Sequence, residues 1–108
     1  MAPRLPKPIE LYFEAENAGR PDDLTACIAA DATVFDERRT YRGLAAIKAW
    51  KAETKAKYNH SVEPLELAER DGRFVVKSRL TGTFPGSPIV VAFAFELEGD
   101  KIKSLAIG

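Results

Sequence analysis

Few side chains in this 108-residue chain could do chemistry, and two of them, Tyr12 and Asp36, sit in informative surroundings. Tyr12 stands five residues before Asn17-Ala18-Gly19, and Asp36 follows the run Ala32-Thr33-Val34-Phe35. A phenol both donates and accepts hydrogen bonds, whereas an ionised carboxylate only accepts them. Each residue also fits a purely structural role. Tyr12 at helical spacing serves as core with its hydroxyl satisfied, and Asp36 is near enough in sequence to pair with Arg38, Arg39 or Arg42.

Other reactive types are scarce. His60 and Cys27 are the only imidazole and the only thiol. A three-ligand zinc or iron site would therefore be nearly all carboxylate, and neither a metal nor another cofactor is expected. No sequence signature supports His60 and Cys27 meeting as base and nucleophile. A glycine-rich phosphate loop, a nucleophile elbow and paired-cysteine metal spacing are all missing.

The residues that must position Tyr12 and Asp36 read as three helices followed by strands. Pro6 and Pro8 suit a first helical turn, Ile9, Tyr12, Phe13 and Glu16 recur at helical spacing, and Gly19 is a left-handed stop. Asp22 and Asp23 suit the start of a second, short helix with Leu24, Cys27 and Ile28 as its buried stripe, ending near Ala30. Ala32 to Glu37 reads as a strand, and ERRTYRG as a loop or short arm. A third helix starts at Leu44, with Ile47, Trp50, Thr54 and Tyr58 on one face and Lys48, Lys51 and Lys55 on a flank read as solvated.

Four strands follow, at Ser61 to Glu69, Arg73 to Phe84, Pro88 to Glu98 and Lys101 to Ile107, separated by Asp71-Gly72, Pro85-Gly86-Ser87 and Gly99-Asp100. Helices grouped before hairpin strands predict an α+β fold, with three N-terminal helices packed on a curved antiparallel sheet. Pro64 and Gly82 interrupt strands as bulges do where a sheet curls. The strand from Pro88 turns Ile89, Val91, Phe93, Phe95 and Leu97 to one side and Val90, Ala92, Ala94 and Glu96 to the other. Both faces are largely apolar, so the small-residue face needs a cover, and a second copy of the chain is the simplest one.

Size and charge narrow the function. One domain spanning 1–108 fits this length. Lys plus Arg and Asp plus Glu are both 16, so no net field draws nucleic acid or anionic lipid. Ile89 to Phe95, the longest purely apolar run, is far short of the roughly 20 residues a bilayer span needs. MAPRLPKP lacks the apolar stretch of a signal peptide, and a lone cysteine does not imply an oxidising compartment. A cytoplasmic protein is expected.

YFEAENAGRPDDL, ADATVFDE and YRGLAAIKAW, in that order, resemble the nuclear transport factor 2-like superfamily, in particular its ketosteroid isomerase and SnoaL-like polyketide cyclase branches. The resemblance covers nearly the whole chain. It implies a cone-shaped α+β fold, commonly dimeric through the outer sheet face, around a pocket for a mostly apolar small molecule, here with Phe13, Val34, Trp50, His60 and Phe93 in its wall. It also implies roles: Asp36 matches the aspartate that moves a proton next to a ketone, and Tyr12 the tyrosine that hydrogen-bonds the enolate oxygen. A second donor in the isomerases is a neutral carboxylic acid. Its place falls at Phe93, which cannot donate, and losing one oxyanion donor costs about 10² to 10³ in rate. The resemblance therefore supports either a slow enolising enzyme of isomerase or cyclase type, or a non-catalytic ligand-binding or dimerisation module of the same fold. In an apolar hollow, Asp36 should have a raised pKa.

Overall fold

A computed structural model describes residues 3–108, so the first two residues of MAPRLPKP lie outside the described residues. Helix α1 runs Lys7–Ala18. Pro6 caps it and Pro8 occupies its first turn, where a missing N–H is no loss. Ile9, Tyr12, Phe13, Ala15 and Glu16 are buried. Gly19, at φ 66°, ends the helix as a left-handed cap, its N–H donating to the Glu16 carbonyl at 3.2 Å and that of Arg20 to Ala15 at 3.0 Å.

The second helix is shorter than its sequence suggests. It is a 3-10 helix, Pro21–Ala26, and strand β1 (Ile28–Asp36) begins four residues before Ala32. Tertiary pairing overrides the local helical pattern here: Ile28 pairs with Ile102, whose N–H donates to the Cys27 carbonyl at 2.7 Å. ERRTYRG is a hairpin rather than a loop. Glu37 and Arg38, both at positive φ, turn β1 into β2 (Arg39–Arg42), with Asp36 opposite Arg39.

Helix α2 (Leu44–Tyr58) buries Ile47, Trp50 and Lys51 and stops at Asn59, in the left-handed conformation. Lys51 corrects the reading of a solvated lysine flank, because its ammonium finds a buried carboxylate; Lys48 and Lys55 are only partly buried. Strands β3 (Ser61–Arg70), β4 (Arg73–Thr81), β5 (Ile89–Glu98) and β6 (Lys101–Ile107) complete one sheet of order β2-β1-β6-β5-β4-β3. The sheet is largely antiparallel, with β1 and β6 parallel. Register shifts between Pro64 and Glu66 and between Glu96 and Leu97 break its regularity. Gly82 lies just past β4, where a Cβ would sit 2.8 Å from the Tyr58 carbonyl oxygen.

The inner sheet face meets α1 through an aromatic cluster. Tyr12 and Phe13 pack edge-on at 5.4 Å, Phe13 on Phe93 at 5.3 Å, and Tyr12 on Phe95 at 5.5 Å. Such pairs add about 0.5–1.5 kcal/mol each beyond their burial. The outer face carries Phe35, Val75, Val90, Ala92, Ala94 and Ala106, joined by the pairings Phe35 with Ala106, Ala106 with Ala94 and Ala94 with Val75. Phe35 is 48% and Val90 53% exposed. No helix among the described residues is long and apolar enough to cross a membrane.

Candidate functional site

The end of α1, α2 and the inner sheet face border a half-open cavity of about 490 Å³. Its apolar wall includes Trp50, Phe84, Val91, Phe93 and Ile107. Its polar groups are Glu16, Asp36, Glu37, Lys51, Thr54, Tyr58 and His60. An apolar hollow with a few convergent polar groups is the usual form of a small-molecule site.

Asp36 ends β1, half-buried, with its side chain on the cavity wall. It makes no ion pair with Arg38, Arg39 or Arg42 among the described residues. Burial raises its pKa above the ordinary carboxylate value and the negative charge of Glu37 adds to this, while the Lys51 charge and the Trp50 indole N–H offset part of the rise. A carboxylate so placed is a better proton acceptor than one in water.

Beside it lies a buried trio built from three separate elements. The left-handed stop at Asn59 turns the chain so that His60 points inward immediately after α2, and the Lys55 ammonium donates to the His60 carbonyl. Glu16 Oε1 accepts from His60 Nε2 at 2.9 Å and from Lys51 Nζ. Burial alone would raise the Glu16 carboxyl, but the Lys51 charge and the hydrogen bonds from His60 and Lys51 outweigh it and hold the pKa below its usual value. Glu16 is thus an anion and can only accept, so His60 carries its proton on Nε2, and His60 Nδ1 is left without a partner. Lys51 Nζ also sits 4.2 Å from the centre of the Trp50 ring, which stacks on Tyr41 at 5.3 Å. The trio borders both the main cavity and a smaller one of about 280 Å³ on its other side, towards Arg20 and Lys55.

Trp50, His60 and Phe93 line the main cavity with Asp36. Phe13 and Val34 do not; both are buried in the core. Nor does Tyr12 border it, because α1 packs that ring against Phe13 and Phe95. Its hydroxyl is fully buried beside the Glu16 carboxylate, and burial, with the charge of Glu16, pushes its pKa well up. Cys27 lies in the core, donates to the Leu24 carbonyl at 3.6 Å, and is pushed up to about 11 by burial, so it is no thiolate nucleophile.

Glu16 and Lys51 are the residues that sequence reasoning missed. The signal for Glu16 was its place in the buried stripe of α1, where a charge requires a partner. Lys51 offered none, because the lysines around it suggested a solvated flank. Among the described residues no three His, Cys, Asp or Glu side chains gather as a metal site would need.

Residues 9–105 match the model of the SnoaL-like domain family. A candidate polyketide cyclase from Sinorhizobium meliloti is 32% identical, with 96% of this chain and 95% of that one covered and a TM-score of 0.91. A hypothetical protein with a ketosteroid isomerase-like fold from Catenulispora acidiphila, solved in complex with trimethylamine, is 24% identical over 97% of this chain and 86% of its own, at a TM-score of 0.83. An NTF2-like protein of unknown function from Cytophaga hutchinsonii shares the fold at 13% identity and a TM-score of 0.78, over 100% of this chain and 93% of that one. No curated protein matches the chain. With nearly its whole length matched, the chain belongs to the SnoaL-like family, built on the nuclear transport factor 2-like fold.

Proposed function

We propose that the cavity binds a mostly apolar carbonyl compound and that Asp36 removes a proton next to the carbonyl, in a reaction of isomerase or cyclase type. The observation that carries this reading is a half-buried carboxylate with raised pKa, free of arginine, on the wall of an apolar hollow. A raised pKa brings a carboxylate nearer the working pH, where a base is most effective. The kinship with a candidate polyketide cyclase supports the same chemistry. The test is proton exchange from a panel of apolar ketones into deuterated solvent. Wild-type protein should accelerate exchange and Asp36→Asn should not; exchange indifferent to Asp36→Asn removes the mechanism.

A second reading, a binding module without turnover, is favoured by Phe93 in place of an acid and by a Tyr12 hydroxyl that does not border the cavity. It predicts ligand binding with no exchange on any ketone. In either case we propose a homodimer formed through the outer sheet face, where exposed Phe35 and Val90 flank Ala92, Ala94 and Ala106.

A further inference from the structure

We propose that Lys51 supplies the positive charge that meets an anionic oxygen of the bound molecule, so that the cavity takes an enolisable carbonyl compound and holds it as the enolate. The inference rests on the reading of the cavity as the site of a carbonyl ligand.

Three observations lead to it. The first is the spare donor capacity of Lys51. An ammonium has three N–H donors, and the one hydrogen bond Lys51 Nζ makes among the described residues goes to Glu16. Its other close neighbours are the faces of Trp50 at 4.2 Å and Tyr12 at 5.5 Å, which hold a cation without consuming a conventional hydrogen bond. The side chain is 7% exposed and borders the cavity, so its charge is largely withdrawn from water and acts strongly on what lies beside it.

The second observation is that Lys51 is the one lysine or arginine on the cavity wall among the described residues. Of the other groups, Phe93 has no donor, Tyr12 does not reach the cavity wall, the Thr54 hydroxyl donates to the Lys51 carbonyl at 3.2 Å, His60 Nε2 serves Glu16, and the Tyr58 hydroxyl is a donor without a charge. The third is preorganisation. Glu16 fixes Lys51, and His60 fixes Glu16, so the cation is in place before charge develops and no rearrangement is needed when it does.

The step balances within the site. The C–H bond next to the carbonyl breaks and its electron pair becomes the C=C bond of the enolate. The carbonyl π pair moves to oxygen, and the proton passes to the Asp36 carboxylate. One negative charge thus moves from Asp36 to the ligand oxygen. Lys51, whose charge already acts on Asp36, can meet it at either end.

The test uses benzoylacetone, whose enolate absorbs apart from its neutral forms, bound to Asp36→Asn, since asparagine keeps position 36 uncharged as a protonated base would be. Trp50, the only tryptophan, reports binding through its fluorescence. Bound dione should ionise about tenfold or more readily than free dione, the scale of one charge-assisted hydrogen bond. Lys51→Met alone strands Glu16 as a buried charge and endangers the fold, so Lys51→Met is combined with Glu16→Gln, which removes both charges together. That combination in Asp36→Asn should abolish the ionisation shift while Trp50 quenching persists. A shift that survives it, or a bound dione that ionises as it does in buffer, overturns the role of Lys51 and leaves the ligand site standing. A dione that never perturbs Trp50, in wild type as well, overturns both. A Lys51-dependent shift alongside exchange that ignores Asp36→Asn supports Lys51 and removes Asp36 alone.

Discussion

Asn17 grips the backbone of Val62 on both sides, its Nδ2 donating to the Val62 carbonyl at 2.9 Å and its Oδ1 accepting the Val62 N–H at 2.7 Å. The last turn of α1 is thereby docked on the start of β3. This brings Glu16, one residue before the clasp, against His60, two residues before its partner. Asn17→Ala is expected to cost about 1–3 kcal/mol, since it leaves two part-buried backbone groups without their partner. Urea unfolding measures this, and Asn17→Asp, which keeps the acceptor and loses the donor, should fall between.

The buried pair of Glu16 and Lys51 should behave asymmetrically. Removing one partner strands the other, so Lys51→Met is expected to cost about 3–5 kcal/mol, while Lys51→Met with Glu16→Gln costs much less. The pair also sets an acid limit. The folded-state pKa of Glu16 is below its usual value of 4.5, so its stabilisation is full above that value and is lost as pH falls through the folded pKa. Melting temperature followed downward from pH 6 should fall more steeply in wild type than in the double variant.

Asp36 should have the opposite sign. Its pKa is raised by burial, so the folded state holds that proton more tightly than the unfolded chain does. Stability then declines as pH rises from the usual value of 3.8 through the folded pKa, and the deficit persists at neutral pH. Asp36→Asn should therefore melt higher than wild type at pH 7, with the gap closing in acid. A variant that loses proton exchange while gaining stability is the signature of a group kept for function.

The outer sheet face should be the dimer contact. Ala92→Asp places a charge at its centre, where Ala92 sits opposite Lys77 and beside exposed Val90. Light scattering at tens of micromolar, about the scale of a modest specific interface, should show a dimer for wild type and a monomer for the variant. An unchanged mass assigns the contact to another face.

Much of this molecule was legible from its sequence. The periodicity of Ile9, Tyr12, Phe13 and Glu16, the stops at Gly19 and Gly99, and the alternation from Ile89 locate α1 and the hairpins, because burial and left-handed turns leave local marks. The second helix misled, since Ile28 joins β1 by pairing with Ile102 across the sheet, a contact with no local trace. The site was half legible for the same reason. Asp36 and Trp50 carry the marks of a strand end and a helix face, whereas the partnership of Glu16, Lys51 and His60 spans separations of 35 and 44 residues. A lysine's neighbours in sequence say little about the carboxylate it will meet in space.

The place of β6 in the sheet bears on how the protein is made. The hairpin of β1 and β2, which carries Asp36, joins the meander of β3, β4 and β5, which carries Phe93, only through β6. β6 is the last of the six strands in sequence, and chains leave the ribosome N-terminal end first. Without β6, β1 and β5 would each present an unpaired edge, the kind of edge that pairs with wrong partners. The cavity wall, to which Ile107 of β6 contributes, is complete only once that last strand is in place.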